Sequence, residues 1–433
     1  MPKYKLLFGL IILFVVSCKP KEQVFPDSLI IENITTIDAK NGLKEHQTLI
    51  IKEGKIQKIA SSKDLKLSKK NTIIDGSGKY LIPGLWDAHI HFAYMEELAP
   101  SMFGLFLAYG ITSIRDTGGQ ISYVKKFKEA SMSNPTTVPR VMIAGPLLDG
   151  MPNVYDGSAP SRPHLSTGSA TVDDIVKQVN QLDSIGVDLL KAYEMLTPEQ
   201  FSKIIELARE KGMKVTGHVP LSMDVISASN AGLNSMEHMR NLELSCASNA
   251  EELLNNRKQL LISGKNDPGG ILRSRIHAAQ RFNAVDNYDD EKANEVLKVL
   301  AKNETWQIPT LALYRSTRLK ENFTHLPDSI RIKWENGLQA MENQEPSPDR
   351  TKYTNWMLKM TGKIHQYEIA IMAGTDTPIG YLTPGLSLHE ELSQLVEAGL
   401  SPLEALKTAT LNPAIILILK LSLVGSVKIP GQI

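Results

Sequence analysis

The chain has 433 residues, 42% of them hydrophobic, with 48 Lys and Arg against 47 Asp and Glu. This length fits a (β/α)8 barrel of about 250 residues plus an accessory domain, and the balanced charge argues against a nucleic-acid partner. The two cysteines, Cys18 and Cys246, are too few for a disulfide framework and lack partners at metal-finger spacing.

Residues 1–18 are predicted to be an export signal. Basic residues precede the apolar run Leu6–Val16, which is too short to span a membrane comfortably. The stretch Val15-Val16-Ser17-Cys18 resembles the bacterial lipobox, in which cleavage leaves a lipidated cysteine as the first residue. The alternatives are an uncleaved anchor or a signal cut elsewhere. We expect an exported bacterial lipoprotein, with acyl chains on Cys18 and residues 19–27 as a tether, on the periplasmic or cell-surface face of a membrane.

Residues 28–82 are predicted to form a small β-sandwich. Glycine-containing turns separate short β-rich runs, at the spacing expected of such a domain. The runs are Ser28–Thr36, Gln47–Lys52, Lys55–Ala60 and Asn71–Asp75.

Residues 83–419 alternate short apolar segments with longer amphipathic ones. This alternation indicates a parallel sheet, and eight repeats predict a closed (β/α)8 TIM barrel. The predicted strands are Leu85–Phe92, Ile111–Asp116, Arg140–Ala144, Asp188–Tyr193, Lys214–Val219, Ser235–His238, Trp306–Leu311 and Ile369–Asp376.

Capping boxes are predicted to start three helices of the barrel, at Thr197, Ser387 and Ser401, each with Gln or Glu three residues later. A charged insertion at about residues 244–303, between strands six and seven, is expected to cover the barrel mouth.

His89 and His91 are the first candidate metal ligands. They sit two apart on a predicted strand, so both imidazoles point into the barrel. The alternative is a pair of satisfied core histidines. Further candidates end later strands, at the face where barrel enzymes keep their chemistry. They are Lys191 on strand four, His218 on strand five, His238 on strand six and Asp376 on strand eight.

Imidazole and carboxylate suit zinc, and four histidines with one aspartate exceed what one tetrahedral site uses, so two ions are implied. Lys191 is the exception, because an ammonium group has no lone pair and repels cations. Its alternative is a snorkelling or salt-bridged lysine.

Five ordered motifs resemble those of the amidohydrolase superfamily, over about residues 28–425. They are Gly84-Leu-Trp-Asp-Ala-His-Ile-His91, Leu189-Leu-Lys191-Ala-Tyr193, Gly217-His218-Val-Pro220, Met236-Glu-His238 and Ala373-Gly-Thr-Asp376. The likeness is strongest to the imidazolonepropionase-like branch that contains Xaa-Pro and Xaa-Arg dipeptidases.

The resemblance implies a binuclear centre. His89, His91 and Asp376 would hold one ion, and His218 and His238 the other. The lysine would be carboxylated by carbon dioxide and bridge the ions, which removes the conflict at Lys191.

The implied reaction is hydrolysis of an amide C–N bond, in a dipeptide or an N-acyl amino acid, by a metal-bridged hydroxide, with Asp376 as the proton shuttle. One alternative substrate is a cyclic amide or a lactone. Another reading is a surface binding lipoprotein without turnover. The sequence leaves the oligomeric state open.

Tyr193 and His164 are the candidate substrate contacts, against the alternatives of a packed tyrosine and a surface histidine. Arg115 and Asp116 are expected to pair with each other, and strand alternation predicts that Glu237 points away from His238. Four other histidines are interpreted as structural: His277, His325, His365 and His389.

In the family, the chain returns after the barrel to complete the sandwich. Residues 420–433 are expected to do so only in part, because Ile415–Leu423 is more apolar than the family pattern and the chain then stops early. Such truncation of the C-terminal strands would leave sandwich edges exposed and prone to aggregation.

Overall fold

The structure, a computed structural model, describes residues 22–315, 318–342 and 348–418. The predicted signal with Cys18, the start of the tether and the returning segment 420–433 lie outside the described residues. Among the described helices, none is long and apolar enough to cross a membrane. The chain divides into two compact units between Ile82 and Pro83.

The N-terminal unit contains one sheet in the order β3-β2-β1-β4, with β5 also pairing with β1. Its strands are β1 Ser28–Asp38, β2 Gly42–Lys52, β3 Lys55–Ser61, β4 Thr72–Asp75 and β5 Tyr80–Leu81. The β1–β2 hairpin turns at Gly42, whose φ of 70° is a conformation that favours glycine. Ile30, Ile50 and Leu65 form a small core. The described strands make a single sheet, so the predicted sandwich stays a prediction.

The larger unit is an α/β structure. Its strands are β6 Leu85–Ile90, β7 Ile111–Asp116, β8 Arg140–Ile143, β9 Leu147–Gly150, β10 Asp156–Ala159, β11 Arg162–His164, β12 Ser166–Ser169, β13 Leu189–Ala192, β14 Lys214–Gly217, β15 Ser235–Glu237 and β16 Trp306–Ile308. Its helices are α1 Ala99–Ala108, α2 Ile121–Ser133, α3 Val172–Ile185, α4 Pro198–Glu210, α5 Val225–Ala231, α6 Leu242–Ser245, α7 Ala250–Ser263, α8 Gly269–Asp286, α9 Asp290–Lys302, α10 Leu311–Tyr314, α11 Asp328–Glu342, α12 Pro348–Gln366, α13 Leu386–Glu397, α14 Pro402–Thr408 and α15 Leu411–Pro413.

Two parallel sheets organise this unit, in the orders β6-β7-β8 and β12-β9-β13-β14-β15-β16, while β10 and β11 form a separate hairpin. Seven of the eight predicted strands appear, each within one residue of the predicted start. A backbone hydrogen bond of 2.9 Å from Asp188 to Ile143 joins the two sheets at β8 and β13.

The eighth predicted segment, 369–376, is not a continuous strand. It makes a single bridge from Ile371 to Gln307, beside β16, and Ala88 of β6 donates a 2.9 Å hydrogen bond to Ala373. Left-handed residues limit its extended stretch at both ends, with φ of 57° at Glu368 and 68° at Asp376. The segment therefore lies between β16 and β6 without forming a regular ladder with either.

Helix starts follow the predicted signals in two of three cases. Thr197 and Ser401 form reciprocal capping boxes at α4 and α14. The predicted box at Ser387 is wrong, because α13 begins at Leu386 after Gly385, whose φ is 88°. Ser387 is thus inside the helix and cannot cap it.

The insertion at about 244–303 consists of helical hairpins. Helices α7, α8 and α9 follow the short α6. Leu272 and Ile276 of α8 are fully buried in the main core. Because this apolar face anchors α8, the polar side chains on its other faces have fixed positions.

The buried carboxyl of Glu391 is expected to make the stability of the fold depend on pH. This buried carboxyl accepts a 2.7 Å hydrogen bond from the Ala312 N–H, and burial raises the pKa of Glu391 from 4.5 to about 8. The folded state therefore binds the Glu391 proton more tightly than the unfolded state does. The protonated carboxyl stabilises the folded state fully below the unfolded pKa of 4.5, and this stabilisation is lost as the pH rises through the folded pKa of about 8.

In the wild-type protein the free energy of unfolding should decrease between about pH 5 and pH 8, and we expect this decrease to be smaller in Glu391→Gln. Urea unfolding across that range measures it. Glu397→Gln, at an exposed position of the same helix, is the matched control and should keep the wild-type slope. A Glu391→Gln slope equal to the wild-type slope would contradict the expectation.

Candidate metal centre

All six predicted ligands line one cavity of about 40 Å³, the central cavity. Its position follows from the parallel strands, whose carboxyl ends meet on one side of the unit. His89 lies on β6, Lys191 on β13, and His218 and His238 directly follow β14 and β15. The lining residues are His89, His91, Leu147, Tyr155, Leu165, Lys191, Tyr193, His218, His238, Arg240, Arg273, Asp376 and Ile379.

Three ligand atoms crowd together at one end of this cavity. Nε2 of His89 and Nε2 of His91 are 3.3 Å apart, and Asp376 Oδ1 lies 3.1 Å from the first and 3.2 Å from the second. All three side chains are buried. Within the described residues, Asp376 Oδ1 has no hydrogen-bond partner despite this proximity.

The hydrogen bonds of Nδ1 in these two rings explain why Asp376 Oδ1 has no hydrogen-bond partner. His91 Nδ1 is 3.1 Å from the carbonyl oxygen of Gly118, and His89 Nδ1 is 2.6 Å from Glu237 Oε2. Because both oxygens accept, each Nδ1 carries the proton and each Nε2 presents a lone pair. Two imidazole nitrogens and a carboxylate oxygen facing one another are a donor set that fits a divalent metal.

The other two histidines are held in the same way. His218 Nδ1 lies 2.5 Å from Glu194 Oε1, and His238 Nδ1 lies 2.7 Å from the Thr310 hydroxyl, which itself donates to the carbonyl of Pro309. Burial lowers the pKa of His218 to about 3. Both rings are therefore neutral, with Nε2 free to bind a metal. His238 Nε2 is 3.8 Å from Asp376 Oδ2.

Lys191 is 1% exposed in the same cavity. Burial lowers its pKa to about 8, although the carboxylates of Glu237 and Asp376 act in the opposite direction. The lysine therefore has a larger neutral fraction near neutral pH than a surface lysine has. The neutral amine is the form that reacts with carbon dioxide.

The position of Glu237 contradicts two predictions. Instead of pointing away from the site, its buried carboxylate contacts His89, the Thr216 hydroxyl and Arg115, whose Nη2 lies 2.7 Å from Oε1. Strand alternation ends here because His238 has a left-handed φ of 58°. Arg115 thus pairs with Glu237 rather than with Asp116, which accepts hydrogen bonds from backbone N–H groups.

Glu194 was missed by the sequence analysis. Besides His218, its carboxylate contacts Nη2 of Arg273 at 3.0 Å and Nε2 of His277 at 2.5 Å. Although burial raises the pKa of Glu194, Arg273 and His277 hold it well below its usual range. His277, interpreted as structural, thus belongs to the network behind the cavity. The i, i+4, i+8 spacing of Arg273, His277 and Arg281 is the sequence signal for this polar helix face.

The two candidate substrate contacts differ in position. Tyr193 is buried in the central cavity, with its ring centroid 4.4 Å from that of His218. His164 is exposed at the end of β11 and lines a separate groove with Tyr94 and Tyr123. The structure does not bring His164 together with the predicted ligands.

Thr310 provides a prediction about metal affinity. A hydrogen-bond partner fixes the tautomer and orientation of a ligating histidine, so Thr310→Val is expected to weaken zinc binding by about 10- to 100-fold. Competition with a coloured chelator measures this affinity. Thr361→Val is the matched control, at a buried site in α12 whose hydroxyl bonds within its helix and to Met239 sulfur. Equal affinity in the two variants would refute a role for Thr310.

Parallel strands that end in histidine and carboxylate groups are the arrangement of metal-dependent hydrolases. The profile of the Amidohydrolase family matches residues 80–429, and the chain belongs to that family. This membership confirms the resemblance seen in the five motifs.

Known relatives agree with this assignment. An adenine deaminase from Desulforamulus reducens is 28% identical over 220 residues, 48% of this chain and 35% of the relative. An imidazolonepropionase from Idiomarina loihiensis is 34% identical over 113 residues, 25% of this chain and 28% of the relative. The chain thus spans only about a third of the length of these curated relatives.

A solved structure extends the likeness to most of the chain. A Xaa-Pro dipeptidase with methionine bound in its active site aligns with a TM-score of 0.61 and 18% identity, over 90% of this chain and 88% of that chain. At this identity the likeness concerns the fold alone.

Proposed function

We propose that this protein hydrolyses the amide C–N bond of a dipeptide or an N-acyl amino acid, with two divalent metal ions, zinc by the chemistry of the ligands. The observation that carries the proposal is the cluster of acceptors formed by His89, His91 and Asp376, with Nε2 and Oδ1 atoms within 3.3 Å of one another. This set of nitrogen and oxygen atoms matches the ligands that zinc prefers.

The proposed ligand sets divide the cavity between two ions. His89, His91 and Asp376 would hold the first ion, and His218 and His238 would hold the second. Lys191, once carboxylated, would supply an anionic oxygen ligand to both. Three facts support this: Lys191 lines the same cavity, its pKa is lowered to about 8, and four histidines exceed the needs of one tetrahedral site.

When bound, the metal ions would supply an activated water and a polarised substrate carbonyl. The chain's own residues orient the ligands and transfer protons. Asp376 accepts the proton released on attack and passes it to the departing amine. Glu237 and Glu194 hold the rings of His89 and His218, and the buried wall that includes Tyr193 keeps bulk water from the reacting bond.

The architecture in this proposal is a closed eight-stranded barrel with residues 369–376 as its eighth strand. The hydrogen bonds that join this segment to Gln307 and to Ala88 support closure. A completed N-terminal sandwich and lipidation at Cys18 rest on sequence patterns, and they are proposed on that basis.

A library screen tests the proposed substrate class. Zinc-loaded protein lacking residues 1–18 is assayed with dipeptides and N-acyl amino acids, and with cyclic amides and lactones in parallel. We expect turnover of the linear amides. Hydrolysis of only the cyclic compounds would replace this substrate class with the alternative one. A folded protein without turnover or bound metal would favour the binding lipoprotein.

A further inference from the structure

A second pocket adjoins the central cavity. This pocket, the arginine pocket, has a volume of about 370 Å³ and shares two of its lining residues, Arg240 and Arg273, with the central cavity. Arg281, Tyr314 and Phe282 also line it. These two arginine side chains therefore face both the central cavity and the arginine pocket.

Positive charge dominates the arginine pocket. None of its described lining residues is acidic. The carboxylates that contact its arginines lie behind the lining: Glu194 is 3.0 Å from Arg273 and 3.7 Å from Arg240, and Glu243 is 3.5 Å from Arg281. Three guanidinium groups thus share two carboxylates. A further buried arginine, at position 257, interacts electrostatically with Glu243 and adds to the excess.

Two of these guanidinium groups face their carboxylates at long range. In the described part of the chain, the buried Nε atoms of Arg240 and Arg281 lie 3.7 Å from Glu194 and 3.5 Å from Glu243, beyond ordinary hydrogen-bond length, and the hydroxyl of Tyr314 is buried without a partner. Arg240 is 7% exposed, and the guanidinium of Arg281 is packed 4.8 Å from the ring centroid of Tyr353. Because each carboxylate lies near Nε and only at long range, the positive charge of the pocket is incompletely balanced, and an anion bound in the pocket would offset it.

We propose that the arginine pocket binds a free carboxylate on the non-reacting part of the amide substrate, through Arg240 and Arg281. The inference rests on the proposed function and narrows its substrate class. A planar guanidinium fork matches the geometry of a carboxylate. Linear amides that carry a free carboxylate would use this site, whereas neutral cyclic amides and lactones would not.

The test compares three probes on the zinc-loaded full chain. N-acetyl-L-leucine has a carboxylate on the amine side of the amide, N-succinyl-L-leucine amide has one on the acyl side, and N-acetyl-L-leucine amide has none. Calorimetric dissociation constants are measured together with hydrolysis rates. We expect at least one carboxylate probe to bind about tenfold or more tightly than the neutral probe, and the tighter of the two identifies the end of the substrate.

Variants assign the effect to the pocket. Arg281→Gln should raise the dissociation constant and KM for the preferred probe by about tenfold or more, with kcat nearly unchanged and with unaltered binding of the neutral probe. Arg281→Lys, which keeps the charge but loses the fork, should show a smaller loss. Arg275→Gln, on the same helix in a half-exposed ion pair with Asp267, is the matched control and should behave like wild type.

Equal binding of the charged and neutral probes by the wild-type protein overturns the inference, and this comparison requires no variant to fold. Unchanged discrimination in Arg281→Gln overturns it as well. If the linear amides are hydrolysed but the charged and neutral probes bind equally, the proposed function is retained and only the carboxylate site is refuted. If a charged probe binds more tightly but no linear amide is hydrolysed, the carboxylate site is retained and the proposed function is refuted.

Discussion

Asp376→Asn is expected to lower kcat by at least about a hundredfold while zinc stays bound, because the amide cannot take up the proton that the carboxylate is proposed to shuttle. The side chain is placed for this role. Its buried Oδ1 lies within 3.2 Å of Nε2 of both His89 and His91, so it is at the reacting end of the cavity. The asparagine side chain has nearly the same shape and retains an oxygen ligand, so metal loss should be small.

Two measurements separate proton transfer from metal binding in this variant. Elemental analysis gives its zinc content, and steady-state kinetics gives kcat. Asp286→Asn, an exposed aspartate in α8, is the matched control and should keep kcat within about twofold. Near-wild-type kcat in Asp376→Asn would refute the shuttle, and loss of zinc with kcat would make Asp376 a ligand only.

Lys191→Ala is expected to have the second large effect, a loss of about a thousandfold or more in kcat/KM. The substitution removes the anionic bridge that would hold two cations together in one buried cavity. The uncompensated repulsion should then expel one ion, so the zinc content should decrease as well.

Chemical rescue distinguishes a missing carboxylate from a damaged fold. Added acetate or propionate should restore part of the activity of Lys191→Ala, since either supplies a carboxylate to the space that the side chain vacates. Lys177→Ala, an exposed lysine of α3, should be fully active and insensitive to acetate. Full activity of Lys191→Ala in the absence of any carboxylate would contradict the bridging role.

The parallel strands and the grouping of the six side chains could be predicted from sequence because both depend on local patterns. His89 and His91 follow a two-residue period, and the other candidates end apolar runs whose ends meet in any parallel barrel. The regularity of the eighth predicted strand was overestimated, because the left-handed residue Asp376 interrupts the extended backbone.

The network behind the ligands depends on contacts that sequence patterns do not report. Glu194 contacts Arg273 across 79 residues of the chain, through a helix of the insertion whose docking is a tertiary property. Glu237 was misplaced for a local reason, since the turn after β15 places two successive side chains on the same side. His164 is exposed, in agreement with the alternative of a surface histidine, and a histidine in a loop carries no periodic signal that would decide between the two.

Metal stoichiometry measured together with activity tests the central claim most directly. Purified protein is loaded with zinc, and zinc per chain is determined by elemental analysis before chelation, after chelation and after zinc is restored. We predict about two equivalents per chain, loss of zinc and amide hydrolysis together on chelation, and recovery of both when zinc is returned. Amide hydrolysis that persists in folded protein freed of metal would contradict the claim.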